Sequence, residues 1–192
     1  MAKRRLNLIF HPMTAEHWDA FEKLFGPRGA CGGCWCMCWR RSRSEFVAKK
    51  GNGNRRAMKA LVEKGTEPGI IAFDGERPVG WIALAPREEY LALSRSRVLK
   101  QVDEVPVWSV SCFFVAKDYR NRGVTVELLK AAIDFVAERG GTTLEGYPVE
   151  PKTDAMAPAF AWTGLAAAFL KAGFTEHHRG SPTRPVMRYE IK

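Results

Sequence analysis

Two short stretches of this sequence hold residue types that do chemistry. The first is CGGCWCMCWR, Cys31 to Arg40, with four cysteines and two tryptophans in ten residues. Cysteines at that density point to a metal site, a disulfide framework or a reactive thiol. The thiols follow a C-x2-C-x-C-x-C spacing, whereas structural zinc usually draws two ligand pairs from separate turns so that four thiolates reach tetrahedral directions. Were the run extended, alternation would put Cys34, Cys36 and Cys38 on one face and Trp35, Met37 and Trp39 on the other. Tryptophan suits packing or an aromatic wall, and an unreactive thiol packs as a small hydrophobe. The preferred reading is pocket lining by Cys34, Trp35 and Trp39 with no metal; structural zinc and a reactive thiol are the alternatives.

The second stretch is RNRGVT, Arg120 to Thr125, between a strand-like and a helix-like segment. A helix N-terminus there would carry unpaired N–H groups and partial positive charge. A turn whose amides converge can wrap a pyrophosphate, and Gly123 removes the side chain where phosphate oxygens must approach the backbone. Arg120 and Arg122 add cationic donors. An ordinary turn with surface arginines is the bland alternative.

Both stretches need elements to hold them. The first connects a helix-like TAEHWDAFEKLFG, with Thr14 as cap and Phe21, Leu24 and Phe25 on its apolar face, to a second helix, RRAMKALVEKG. The second follows VPVWSVSCFFVA, a β-branched and aromatic strand, and opens the helix VTVELLKAAIDFVAERGG with its stripe Leu129, Ala132, Ile133 and Val136. LNLIFHP reads as a first strand, Asp74-Gly75 as a hairpin turn and TTLEGYPV as a further strand. GLAAAFLKAGF reads as a short helix capped by Thr163, and FTEHHRG with PVMRYEIK as a closing hairpin. Strands and helices alternate around one sheet, which predicts a mixed α/β (α+β) domain.

Composition sets the class. A chain of 192 residues with 46% apolar and 27% charged residues is of ordinary globular make-up and can bury a full core. No segment approaches the roughly 20 apolar residues that span a bilayer, and the start MAKRRLNLIF lacks a signal-peptide pattern. These features predict a cytoplasmic protein with reduced thiols, where a disulfide framework is not expected; five cysteines would also leave one unpaired. The net charge is +9, and residues 40–65 carry nine cationic against two acidic side chains. Such a segment is either a solvated face or an attractor of anions.

The strand–RNRGVT–helix unit resembles the acetyl-CoA signature of the GNAT superfamily of acyl-CoA N-acyltransferases, whose pattern is Gln/Arg-x-x-Gly-x-Gly/Ala after a strand. Thr125 stands where glycine or alanine is usual. DGERPVGWIAL is similar to the family's second and third strands, LAAAFLKAGF to its last helix, and the closing hairpin to its own. The resemblance covers residues 5–192 and is most specific over 107–174. It implies one domain over 1–192, with a mostly antiparallel central sheet flanked by helices and with strands 4 and 5 splayed. It implies acetyl-CoA as cosubstrate, held by Phe113, Phe114, Val115, Arg120, Asn121, Arg122, Gly123, Val124, Thr125 and Phe169. The main chain of Phe113 and Val115 would be free to hold the pantetheine arm and polarise the thioester. A small-molecule primary amine would attack the acetyl group directly in a ternary complex. Nucleic acid and membrane are not expected as partners, and assembly as a homodimer is left open.

Two departures from the family bear on catalysis. Ser109 stands where some members place a glutamate base, and Phe169 where many place a tyrosine acid. Ser109 and Tyr147 are the catalytic candidates, with Glu150, His177 and His178 as further choices. These departures keep open a non-catalytic acyl-CoA-binding or regulatory module; the cysteines and basic segment keep open a metal-stabilised nucleic-acid-binding protein.

Overall fold

The computed structural model describes residues 6–151 and 161–192. Seven strands form one sheet in the order β1-β2-β3-β4-β5-β7-β6. They are β1 (Leu8–Pro12), β2 (Gly69–Asp74), β3 (Arg77–Pro86), β4 (Trp108–Val115), β5 (Thr143–Gly146), β6 (Thr175–Ser181) and β7 (Arg184–Glu190). Neighbours run antiparallel except β4 and β5, which are parallel. The mixed, mostly antiparallel sheet is the one anticipated.

The β4–β5 pairing is short. Only Trp108, Ser109 and Val110 face Leu144, Glu145 and Gly146, and beyond them the two strands part. β4 is also bulged: Ala83 of β3 faces Cys112 while Leu84 faces Val110, so Ser111 has no opposite residue. A bulge inverts which side chains share a face. Here it puts Ser109 and Cys112, opposite Ala85 and Ala83, on one face, and Val110 and Phe113 on the other.

Each face is covered by helices. On the Val110–Phe113 face lie α5 (Val124–Ala137) and α6 (Ala166–Lys171). The buried stripe of α5 is Leu128, Leu129, Ala132, Phe135 and Val136; Ile133 is half-buried, so the stripe is turned slightly from its predicted centre. On the other face, α1 (Trp18–Phe25), α3 (Asn52–Glu63) and the cysteine run pack over Ile71, Trp81 and Ala83. A third cluster, built on Tyr90, Leu93, Leu99 and Tyr147, closes that face at the β5 end.

Several boundaries differ from those read in the sequence. Thr14 does not cap α1; its Oγ1 meets His17 Nδ1 at 3.1 Å, and a single 3-10 turn, Ala15–His17, precedes the helix. Thr163 does not cap α6 but accepts a hydrogen bond from Arg184 Nη1 at 3.1 Å, and Leu165 takes the cap position. Two short helices were not foreseen: α2 (Arg43–Ala48) and α4 (Leu91–Ser94). α2 is held by a capping box in which Ser42 accepts from the Glu45 amide and Glu45 accepts from the Ser42 amide.

Candidate active site

The parting of β4 from β5 leaves a wedge, and the chain after β5 partly refills it. Val149 bridges to Leu165, and the Phe113 N–H donates to the Trp162 carbonyl at 2.6 Å. Beside this contact lies a cavity of about 1020 Å³. One wall is Phe113, Phe114 and Val115 of β4 with the turn that opens α5; the other is the cysteine run with Trp39 and Phe46.

At the α5 end, Arg120, Asn121, Gly123, Val124 and Thr125 all reach the wall. Gly123 is the cap of α5 with φ +82°, a left-handed conformation that favours glycine, and no side chain caps the helix. A Cβ added there would meet no atom within 4 Å, so the space in front of the helix terminus is open. The helix dipole and Arg120 give this end of the cavity the positive character that an anion would need. The charged residues among the described part of the wall, Arg120 and Lys171, are both cationic. Arg122 is placed elsewhere: its guanidinium lies over the Tyr119 ring at 5.2 Å, off the wall.

The expected free main chain on β4 is not free. Besides the Phe113 amide, the Val115 carbonyl is engaged, accepting from Arg120 Nε at 3.1 Å. Both partners are single hydrogen bonds that a ligand group could replace.

Ser109 and Tyr147 do not line the cavity. Both are fully buried, and Ser109 Oγ meets Tyr147 OH at 2.8 Å. Tyr147 OH donates to Glu145 Oε1 at 2.6 Å and accepts from Arg87 Nη1. Its one proton is therefore committed to Glu145, and Ser109 is left as the donor to Tyr147. Burial, reinforced by the Glu145 charge, raises the phenol's proton affinity well above normal. Glu145 also faces Arg188, whose Nε lies 2.7 Å from Oε2, and Arg188 grips Asp103 with both terminal nitrogens at 2.7 and 3.0 Å. Ser109 and Tyr147 thus belong to a buried ionic network, out of reach of a group in the cavity. Of the further candidates, Glu150 pairs with Arg179 and His177 meets Asp103 at 3.1 Å. No aspartate, glutamate or histidine is among the described residues of the wall.

Phe169 is core and not cofactor wall: it is fully buried, edge-on to Phe113 and Phe174 with ring centroids 6.0 and 5.1 Å away. It fills the notch at Gly146, where an added Cβ would lie 2.2 Å from its ring. Trp35 is also core, packed against Trp18, Phe21 and Phe25. The extended, alternating cysteine run does not form. Trp35 and Cys36 both take left-handed backbone angles, φ 43° and 58°, and Trp35, Cys36 and Met37 are buried consecutively.

Cys34 and Trp39 do line the cavity, and so do the remaining four cysteines, Cys31, Cys36, Cys38 and Cys112. Burial pushes the Cys34 thiol up to about 11 and also raises Cys38. No group of three His, Cys, Asp or Glu side chains among the described residues is arranged to hold a metal ion. Sequence reasoning missed Cys112 and Trp162 as wall residues. The bulge that turns Cys112 toward the cysteine run leaves no mark in the residue pattern, and nothing local to Trp162 pairs it with Phe113.

Comparison with known proteins bears on this geometry. The acetyltransferase (GNAT) family profile matches residues 35–160. Among solved structures, a GNAT-family acetyltransferase from Streptococcus pneumoniae superposes with a TM-score of 0.55 at 14% identity, covering 97% of this chain and 100% of that one. The ribosomal-protein-S5-alanine acetyltransferase from Vibrio fischeri gives 0.55 at 9% identity over 100% and 96% of the two chains. The PaiA N-acetyltransferase from Thermoplasma acidophilum, in complex with coenzyme A, gives 0.53 at 12% identity over 96% and 99%. No curated protein sequence matches significantly.

Proposed function

Because this chain belongs to the GNAT acetyltransferase family and so is an acyltransferase, we propose that it moves the acetyl group of acetyl-CoA to the primary amine of a small molecule. The observation that carries this reading is the uncapped N-terminus of α5, open at Gly123 and flanked by Arg120. It faces the same cavity as the parted edge of β4. The pyrophosphate of the cofactor sits on the α5 amides, and its pantetheine arm runs along Phe113–Val115. As negative charge develops on the thioester oxygen, the Phe113 amide leaves the Trp162 carbonyl and turns to it. An amide aimed at the developing oxyanion contributes about 3 kcal/mol to lowering the barrier.

The amine enters past Cys34, Trp39 and Phe46 and attacks the acetyl carbon directly, in a ternary complex. With no carboxylate or imidazole on the described wall, the attacking species is the neutral amine, and catalysis rests on positioning and a polarised carbonyl. Ser109 and Tyr147 contribute by holding the base of the β4–β5 fork. We place the protein in the cytoplasm; no helix among the described residues is long and apolar enough to cross a membrane. The basic stretch 40–65 is partly engaged internally, Arg40 on Glu89, Arg55 on Glu22 and Arg41 on Asn54, which disfavours nucleic acid as its partner. A non-catalytic acyl-CoA-binding module is the second reading, favoured by the occupied Phe113 amide.

The test is a thermal shift with coenzyme A, followed by turnover over a panel of amines. Micromolar affinity corresponds to about 8 kcal/mol. At a hundredfold excess over Kd, binding adds about 2.7 kcal/mol of stability, or roughly 5–10 °C for a chain of this size. Gly123→Glu puts bulk and negative charge in front of the α5 amides and should abolish the shift. A folded Gly123→Glu protein that still shifts overturns the cofactor assignment; a wild type that shifts but turns over no amine supports the second reading.

A further inference from the structure

All five cysteines line one cavity, and two of them meet across it. Cys112 lies opposite Ala83 on β4, and Trp81, two residues from Ala83 on β3, shares its face. The Trp81 indole N–H donates to Cys36 Sγ at 3.1 Å. Cys36 comes from the other wall, carried to β4 by the left-handed turn at Trp35 and Cys36. Cys36 lies in a buried cluster with Trp81 and Ala83, and the partly buried Cys112 packs against that cluster.

We propose that Cys36 and Cys112 form a redox-active dithiol that low-molecular-weight disulfides oxidise to a bond between the two walls of the cavity. The chemistry of the pair is asymmetric. The contact with Cys112 and the Trp81 N–H donor, with Arg40 nearby, lower the proton affinity of Cys36 against the effect of burial, while the Cys112 thiol itself points at the Phe113 carbonyl, 3.7 Å away. Cys112 is driven the other way, first by its contact with Cys36 and then by burial, and keeps its proton. Cys36 is the attacking thiolate and Cys112 the resolving thiol. In the first step Cys36 Sγ⁻ attacks one sulfur of RS–SR, forming Cys36–S–SR and expelling RS⁻. That thiolate takes the Cys112 proton and leaves as RSH. Cys112 Sγ⁻ then attacks Cys36 Sγ, forming the protein disulfide and expelling a second RS⁻, which is protonated by solvent. Two electrons pass from the protein sulfurs to the small disulfide, and a dithiol reverses the exchange. The cavity that both sulfurs line is the route by which the oxidant reaches them. The bond ties the residue before Phe113 to the cysteine run.

The experiment is thiol mapping of the full-length protein, which needs neither acetyl-CoA nor an amine, so its failure is separate from failure of the functional reading. The native protein is incubated with glutathione disulfide or a small cyclic disulfide, and free thiols are alkylated in denaturant. Digests are then read by mass spectrometry. The expected product is a Cys36–Cys112 cross-linked peptide that dithiothreitol releases, with Cys31, Cys34 and Cys38 alkylated. In Cys112→Ala the reaction should stop at a mixed disulfide on Cys36. In Cys36→Ser, Cys112 should react at least tenfold more slowly. No cross-link in the folded protein, a link among Cys31, Cys34 and Cys38 instead, or a mixed disulfide formed first on Cys112 overturns the proposal.

Discussion

Removing the charge of Glu145 tests what holds the fork between β4 and β5. Its carboxylate is 2% exposed and serves two guanidiniums, Arg87 and Arg188. In Glu145→Gln, Arg188 keeps Asp103. Arg87 keeps the Leu99 carbonyl, 2.6 Å from Nη2, and Tyr147 OH, but no carboxylate. A buried cation stripped of its partner costs about 3–5 kcal/mol. The two retained acceptors and the unchanged shape put this variant at the low end, about 3 kcal/mol. For a chain of this length that lowers Tm by roughly 6–12 °C. Replacing Arg87 by Met as well removes the orphaned charge, so the double variant should recover at least about 1 kcal/mol over the sum of the singles. The assay is urea unfolding of wild type, both singles and the double, with Tm from melting as a check. A cost below about 0.5 kcal/mol for Glu145→Gln, or strict additivity in the double, would refute the reasoning that this network is closed to water.

Three further outcomes follow from the same structure. kcat/KM should climb with pH toward the acceptor amine's own pKa, and Ser109→Ala should lower it about tenfold or less, because Ser109 hydrogen-bonds Tyr147 and does not line the cavity; one inflection near pH 6 to 7 shared by two amines of different pKa would mean that a protein group is the base. Arg188 holds the Asp103 carboxyl well below its ordinary value of 3.8, so the stability it contributes is full above that value and drains away as pH falls toward the folded-state value; Asp103→Asn should be less stable near neutrality and should flatten the acid limb of a stability–pH curve, and an unchanged limb would rule out the linkage. Chelator should leave the melting curve of the reduced protein unmoved, and metal analysis should find no stoichiometric zinc or iron, since a structural metal couples directly to folding.

Local signals carried most of the scaffold. Asp74-Gly75 marked its hairpin, the apolar runs marked the central strands, and Gly123 with Arg120 marked the start of α5, because each depends on residues adjacent in the chain. What escaped depended on contacts between distant segments. The β4 bulge, set by its register against β3, turned Cys112 to the cysteine run and aligned Ser109 with Ala85. In the sequence Ser109 is a catalytic candidate because it stands where some family members place a base, but its neighbours Arg87, Glu145 and Tyr147 come from elsewhere in the chain and seal it. Thr163 had the residue type of a helix cap and found Arg184 across the fold instead. Trp35 and Trp39, four positions apart, were read as one wall; tight turns sent Trp35 into the core and left Trp39 against Trp162 with ring centroids 5.6 Å apart.

In the proposed acetyl transfer, the hydrogen bond from the Phe113 amide to the Trp162 carbonyl makes the resting protein its own competitor. A peptide carbonyl is a better acceptor than the carbonyl of a thioester. In the ground state, exchanging one for the other gains little, so the donor does not tighten the grip on unreacted acetyl-CoA. As the amine adds, the thioester oxygen becomes an alkoxide, and a charged acceptor binds an amide about twice as strongly as a neutral one. The balance then tips to the reacting molecule. Stabilisation withheld from the substrate and delivered to the transition state accelerates the chemical step. After collapse to product the charge is gone and Trp162 regains the amide, which disfavours retention of the spent cofactor. An internal carbonyl thus sets a threshold of negative charge that an incoming acyl group must exceed before the fold responds to it.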